Sequence, residues 1–181
     1  MVTLSDGRPA LTDLEIREFL SSDYTRLVNA MAMICGSLPA AEDAVQEALA
    51  RAWERSERGQ EIGSLPAWVT TVARNLLRDR FRRMVVERRA RRDLVDRRDP
   101  RSAIGDVERG ADVARALAAL PRRQREVAVC HYVLDLPVAE IAVRLKMPEG
   151  SVKSALHRAR RRLAGALAEQ DEETEVGDVA G

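Results

Sequence analysis

Residues 120–163 read LPRRQREVAVCHYVLDLPVAEIAVRLKMPEGSVKSALHRARRRL, and the spacing of their apolar side chains calls for two helices that cross steeply. Ile141, Ala142 and Leu145 mark one face of the first helix. Met147 falls in a short turn, and Val152 and Leu156 lie four apart on the inner side of the second helix. Lys153, Ser154, His157, Arg158 and Arg161 then face away from that seam. The pattern is a helix-turn-helix with a basic outer face. A second helix presented in this way can enter the major groove of DNA, where side chains at its exposed N-terminal end and along one flank reach base edges.

An amphipathic hairpin with solvated cations carries the same stripe, so the details decide. Ala142 is small where the two helices come closest. Arg158, Arg160, Arg161 and Arg162 crowd one end of a helix with no acid among them, an arrangement that self-repels unless phosphates answer it. One detail opposes the motif: Lys146 holds the turn position where Gly is usual, and a left-handed backbone there costs about 1 kcal/mol.

Outside this stretch the chain is helical throughout. Of its 181 residues only 3% are aromatic, so the core is aliphatic and built from Ala, Leu and Val. No segment alternates with period two, whereas a 3.6-residue periodicity recurs from Thr12 to Leu167. The expected fold is all-α: two small helical bundles joined by an extended linker, the C-terminal bundle holding the helix-turn-helix. The expected divisions are 11–92 for the first bundle, 93–111 for the linker, 112–168 for the second bundle and 169–181 for a disordered acidic tail that keeps the protein soluble.

Within the first bundle, Thr12 and Glu15 form a capping box that starts a helix through Leu20. A second helix from Asp23 buries Leu27, Met31 and Ile34 and stops at Gly36. Pro39 starts a third, on which Val45, Leu49 and Trp53 repeat every four residues as the core stripe. Ser64 and Pro66 open a long fourth helix from Ala67 to beyond Arg89, striped by Val72, Leu76 and Phe81.

Charge is segregated although the formal net charge is only +1. Residues 74–101 hold twelve Arg against five acids, and residues 144–163 hold seven Lys/Arg against one acid. By contrast, residues 41–61 hold six acids against three Arg. Two cationic surfaces and an acidic one imply at least two kinds of partner. Met1–Ala10 lacks the apolar run of a secretory leader, and no segment is long and apolar enough to span a bilayer, so a soluble cytoplasmic protein without membrane insertion is expected. Cys35 and Cys130 stand far apart without Cys or His at metal spacing and read as small buried hydrophobes. No nucleophile with a base, no metal spacing and no Gly-rich phosphate loop is present, so no catalytic residue, metal or cofactor is expected and the protein is not read as an enzyme.

Three segments together carry a resemblance. AEDAVQEALARAW at 41–53, PAWVTTVARNLLRDRFRR at 66–83 and the block from LPRRQREV at 120–127 to VAEIAVRLKMPEGSVKSALHRARRRL at 138–163 resemble the successive blocks of bacterial sigma factors of the extracytoplasmic-function (ECF) type, in the sigma-70 family. The likeness covers about residues 12–168, in order and spacing. It implies a transcription-initiation factor that binds core RNA polymerase and promoter DNA. By the resemblance, Asp43, Gln46 and Glu47 dock on the clamp helices of the largest polymerase subunit. Trp68, Arg74, Asn75, Arg78, Arg82 and Arg83 grip the minus-10 element, with the loop Ser56–Leu65 where the family pockets an unstacked base. Glu149, Ser151, Lys153, Ser154, His157, Arg158 and Arg161 read the minus-35 element, and an anti-sigma factor is a further expected partner.

Two departures stand out. Family members commonly carry Arg directly after VKS, whereas Ala155 stands here, which is expected to remove a base or phosphate contact worth about 1–3 kcal/mol of discrimination. The paired aromatics that help primary sigma factors melt DNA are also missing, leaving Trp68 alone and implying dependence on a close minus-10 match. A stand-alone helix-turn-helix regulator of duplex DNA remains the alternative, although it leaves the acidic helix and the second basic patch unexplained.

Overall fold

The computed structural model describes residues 11–90 and 108–177, with side chains described for 11–86 and 113–166. The chain divides into two compact units, Met1–Asp99 and Pro100–Gly181. Every regular element among the described residues is an α-helix. The segment expected to form the body of the linker, 91–107, lies outside the described residues, as do 178–181 at the end of the expected tail.

The first unit contains α1 (Asp13–Ser22), α2 (Tyr24–Cys35), α3 (Leu38–Glu57) and α4 (Leu65–Ala90). Its helix ends follow local chemistry. The Thr12 hydroxyl accepts from the Glu15 N–H at 3.2 Å while the Glu15 carboxylate accepts from the Thr12 N–H at 2.9 Å, so the expected capping box is formed. Gly36 stops α2 in the left-handed conformation, φ 78, with its N–H on the Ala32 carbonyl. Ser37 caps α3, and Ser64 caps α4 through the Ala67 N–H at 3.4 Å. The N–H of Leu11 donates to buried Ser56 Oγ, which ties the chain entering α1 to the end of α3.

The core of this unit joins Phe19, Leu27, Met31 and Ile34 of α1 and α2 to a seam of mostly small residues on α3. On α3 the buried side chains are Ala41, Ala44, Val45, Ala48, Ala52 and Ser56, and α2 and α4 both pack against this helix. The expected stripe Val45, Leu49, Trp53 is therefore corrected: Leu49 is half-buried and Trp53 is 40% exposed. Steps of four residues drift about 40° each around a helix of 3.6 residues per turn, which carries Trp53 off the inner face. On α4 the buried line is Leu65, Val69, Ala73 and Leu77, not Val72, Leu76 and Phe81. Val72 and Leu76 are half-buried and Phe81 is 44% exposed.

The second unit contains α5 (Glu108–Ala119), α6 (Arg122–Tyr132), α7 (Val138–Leu145) and α8 (Glu149–Gly177). Val127 and Cys130 of α6, Ile141, Ala142 and Leu145 of α7, Met147 of the turn and Val152, Ala155 and Leu156 of α8 form one core cluster. The guanidinium of Arg125 donates to the carbonyls of Ala118 and Leu120, closing the C-terminal end of α5. Two expected boundaries move. Helix α5 begins at Glu108, inside the stretch expected to be linker. Helix α8 continues to Gly177, so the stretch expected to be a disordered tail is helical through 177; residues 164–173 are mostly Ala, Leu, Glu and Gln, among the best helix formers. Cys130 is buried as expected, while Cys35 is only half-buried, with its thiol 3.2 Å from the Ser37 carbonyl.

Candidate functional site

Helices α7 and α8 meet through a three-residue turn, Lys146–Pro148. Lys146 takes the left-handed conformation, φ 52 and ψ 52, and its N–H reaches the Ala142 and Val143 carbonyls. The Met147 N–H also bonds the Ala142 carbonyl, at 2.9 Å, and the Met147 side chain drops into the core cluster. The left-handed backbone expected at Lys146 is thus present, and hydrogen bonds from the turn to the last carbonyls of α7 hold it. With Val152, Ala155, Leu156 and Ala159 buried, the helix α8 is fixed in rotation. Glu149, Ser151, Lys153, Ser154, His157, Arg158 and Arg161 are all exposed.

Ala155 requires a correction. It is 3% exposed and belongs to the core cluster, so a longer side chain at 155 would start from the inner side of α8 and not from its outer face. It lines a groove of about 510 Å³ between α6 and α8, together with Arg123, Gln124, Ser151, Ser154 and Arg158.

The arginines of α8 are not equivalent. Arg160 donates through Nε to the Tyr132 hydroxyl on α6, and its guanidinium carbon lies 5.8 Å from the centre of the Tyr132 ring. Sequence reasoning grouped Arg160 with its neighbours because nothing local marks a contact made across 28 residues.

On α4, Trp68, Asn75, Arg78 and Arg82 follow one another at steps of seven, three and four, so they share a helix face. That face points away from the buried line Leu65, Val69, Ala73, Leu77. Trp68, Asn75 and Arg78 are half-buried, and Arg82 and Arg83 are exposed. Arg74 does not belong with them: it is 8% exposed, with a guanidinium nitrogen 3.4 Å from Asn75 Oδ1. Its register, four residues before Arg78, puts it on the flank of that face, yet the surrounding structure buries it, so it is not offered at the surface as the others are. The loop from Arg58 to Ser64 precedes this face, with Gly59 at φ 70.

On α3, Asp43, Gln46 and Glu47 are exposed and cover about 100° of arc opposite the alanine seam. Each has a partner within the chain. Asp43 pairs with Arg80 of α4 at 3.5 Å, Gln46 Nε2 lies 3.4 Å from the Tyr24 hydroxyl of α2, and Glu47 bonds Arg51 at 2.9 Å. These pairs are exposed and weak, so an incoming cation can exchange with them at small cost. Tyr24 and Arg80 were not legible as edges of this face, since both arrive from other helices. Among the described residues no group of three His, Cys, Asp or Glu could hold a metal ion, and no helix is long and apolar enough to cross a membrane.

Comparison with known proteins adds family to geometry. Residues 20–85 match the family model for sigma-70 region 2, and residues 111–163 match the model for sigma-70, region 4. The chain is 36% identical to the ECF RNA polymerase sigma factor SigL of Mycobacterium tuberculosis over 141 residues, covering 75% of this chain and 79% of that protein. It is 34% identical to the ECF RNA polymerase sigma factor SigF of Caulobacter vibrioides over 134 residues, with 72% of each covered. Among solved structures it is similar to the sigma factor RpoE of Bartonella quintana, crystallised with the anti-sigma factor NepR. The TM-score is 0.72 at 26% identity, covering 87% of this chain and 98% of that one. With two sigma-70 regions in order, a helix-turn-helix in the second and relatives that share most of its length, the chain belongs to the ECF sigma factors of the sigma-70 family.

Proposed function

We propose that this alternative sigma factor divides its work among the three helix faces described above. As a member of its family it directs RNA polymerase to promoters. Asp43, Gln46 and Glu47 on α3 dock on the clamp helices of the largest polymerase subunit, where carboxylates meet arginines. Trp68, Asn75, Arg78, Arg82 and Arg83 on α4 hold the minus-10 element, with the Arg58–Ser64 loop receiving an unstacked base. Glu149, Ser151, Lys153, Ser154, His157, Arg158 and Arg161 on α8 read the minus-35 duplex. The observation that carries this reading is the separation of charge by face: the acids of α3 lie opposite its alanine seam, and the exposed cations of α8 lie opposite its core cluster.

The protein acts in the cytoplasm and carries out no chemistry of its own. An anti-sigma partner, such as the one bound to the related RpoE, would work here by covering the docking face of α3.

Mobility shift of a promoter fragment, with and without core polymerase, tests the reading. Specific retardation requires core if the chain is a polymerase subunit; specific retardation without core would favour an independent regulator. Replacing Asp43, Gln46 and Glu47 together by Ala should weaken core association roughly tenfold or more while leaving duplex affinity unchanged. Core binding equal to wild type in that variant refutes the docking assignment.

A further inference from the structure

The recognition helix carries Arg158, Arg160, Arg161 and Arg162 within two turns, and only Arg160 is engaged by a ring of its own protein. Its Nε donates to the Tyr132 hydroxyl, and its guanidinium carbon lies 5.8 Å from the centre of the ring, at its hydroxyl end. The Tyr132 ring in turn meets His131 edge-on, with centroids 4.9 Å apart. His131 Nδ1 lies 3.0 Å from the Leu136 carbonyl, and the Leu136 N–H bonds the Cys130 carbonyl at 3.0 Å. A continuous chain of contacts therefore runs from the α6–α7 connection to the middle of α8. Tyr132 is 49% exposed, so its ring is not placed there to fill the core. On α8, Arg160 follows Lys153 by seven residues and shares its row. A DNA strand passing along that row would meet both cations if both were available.

We propose that Tyr132 withholds Arg160 from the phosphate backbone and uses it to fix the rotation of α8 on α6. The proposal rests on the reading of α8 as a reader of duplex DNA. Phosphate contacts attract a protein to any sequence and carry no base information. Holding one cation back lowers that general attraction, and the same contact braces the helix whose exposed residues face the bases. Tyr132 and Arg160 are thus positioning residues, and Lys153, Arg158 and Arg161 remain the cations that face DNA.

The test measures affinity of the full-length chain for a mixed-sequence duplex by fluorescence anisotropy across a salt series. Each phosphate contact contributes about 0.9 to the slope of log affinity against log salt. Arg158→Ala and Arg161→Ala should each flatten the slope by about that amount, whereas Arg160→Ala should leave it unchanged. Tyr132→Ala should steepen the slope by up to about 0.9, because the released guanidinium gains a phosphate. The double variant Tyr132→Ala with Arg160→Ala should return to the wild-type slope, and Tyr132→Phe, which removes the hydroxyl that Arg160 Nε donates to, should steepen it as Tyr132→Ala does. A role in stability alone predicts no steepening in any variant. Flattening by Arg160→Ala equal to that by Arg161→Ala overturns the proposal, as does a Tyr132→Ala slope no steeper than wild type. If Tyr132→Ala does not fold, Arg160→Ala and Tyr132→Phe decide the question by the same readout. Slopes unmoved by Arg158→Ala and Arg161→Ala would instead remove the reading of α8 as a DNA reader.

Discussion

The unit Pro100–Gly181 fills its core with Ile141, Leu145, Met147, Val152 and Leu156, while α3 of the unit Met1–Asp99 offers its core mainly alanines and leaves Trp53 exposed. The contrast shows two ways of seating a helix. Large aliphatic side chains hold helices apart and interlock between them. Small side chains let the backbones approach, and the large residues are then displaced to the flanks. In the first unit Trp53 of α3 and Phe81 of α4 are edge residues for this reason. In the second, the large side chains of the α7–α8 seam are themselves the buried ones.

The largest effect expected from this contrast is in the second unit. Ile141 is fully buried among other large side chains, so Ile141→Ala should cost about 2–5 kcal/mol through lost transfer energy and the cavity left behind. Both tryptophans, Trp53 and Trp68, lie in the first unit. Thermal unfolding followed by Trp fluorescence should therefore remain near wild type, while the circular dichroism transition broadens toward lower temperature. A fluorescence midpoint that falls in step would show that the two units unfold as one, and the comparison would lose its basis.

A smaller effect, of opposite logic, is expected at the alanine seam. Ala48 has no exposed surface, and Ala48→Leu should destabilise by about 1–3 kcal/mol because the close approach of α2 and α4 leaves no room for three more carbons. Trp53→Ala should cost less than about 1 kcal/mol, as expected for an exposed side chain away from the core. Chemical denaturation of the two variants measures the difference directly. The reverse order, with Trp53→Ala the worse variant, would restore Val45, Leu49 and Trp53 as the true core stripe.

The same contrast explains what could be read from residues alone. Local chemistry was legible wherever it is local: the Thr12–Glu15 capping box, the Gly36 stop, the Ser64 cap and the strained Lys146 turn all depend on neighbours within four residues. The helix-turn-helix was legible because Ile141, Leu145, Val152 and Leu156 announce their face by size. The faces of α3 and α4 were harder, since an alanine carries little apolar signal and its burial depends on what packs against it. The burial of Arg74 was hidden for the same reason: its charge and its place in the row of Arg78 suggest solvent, and only the packing around α4 covers it. Ala155 was judged by what a relative carries there, and its burial became apparent only from the fold of α6 onto α8. The pairing of Arg160 with Tyr132, and of Asp43 with Arg80, joins residues 28 and 37 positions apart, which no helical period relates. The helical extension of α8 beyond 168 was missed because acidic composition was weighed above the helix propensity of the same residues.

The smallest expected effect tests local strain in the well-filled unit, where two described residues other than glycine, Asp135 and Lys146, take the left-handed conformation. Lys146 adopts φ 52 with its side chain exposed, so the side chain contributes no packing while its Cβ crowds the backbone. Lys146→Gly should raise the stability of the second unit by about 1 kcal/mol, or slightly less because glycine also gains freedom in the unfolded chain. Lys146→Ala should give no such gain, since the Cβ remains. Comparing these two variants isolates the backbone contribution from the loss of charge, which both share. A gain in both would place the cost in the charge of Lys146 and not in the turn geometry.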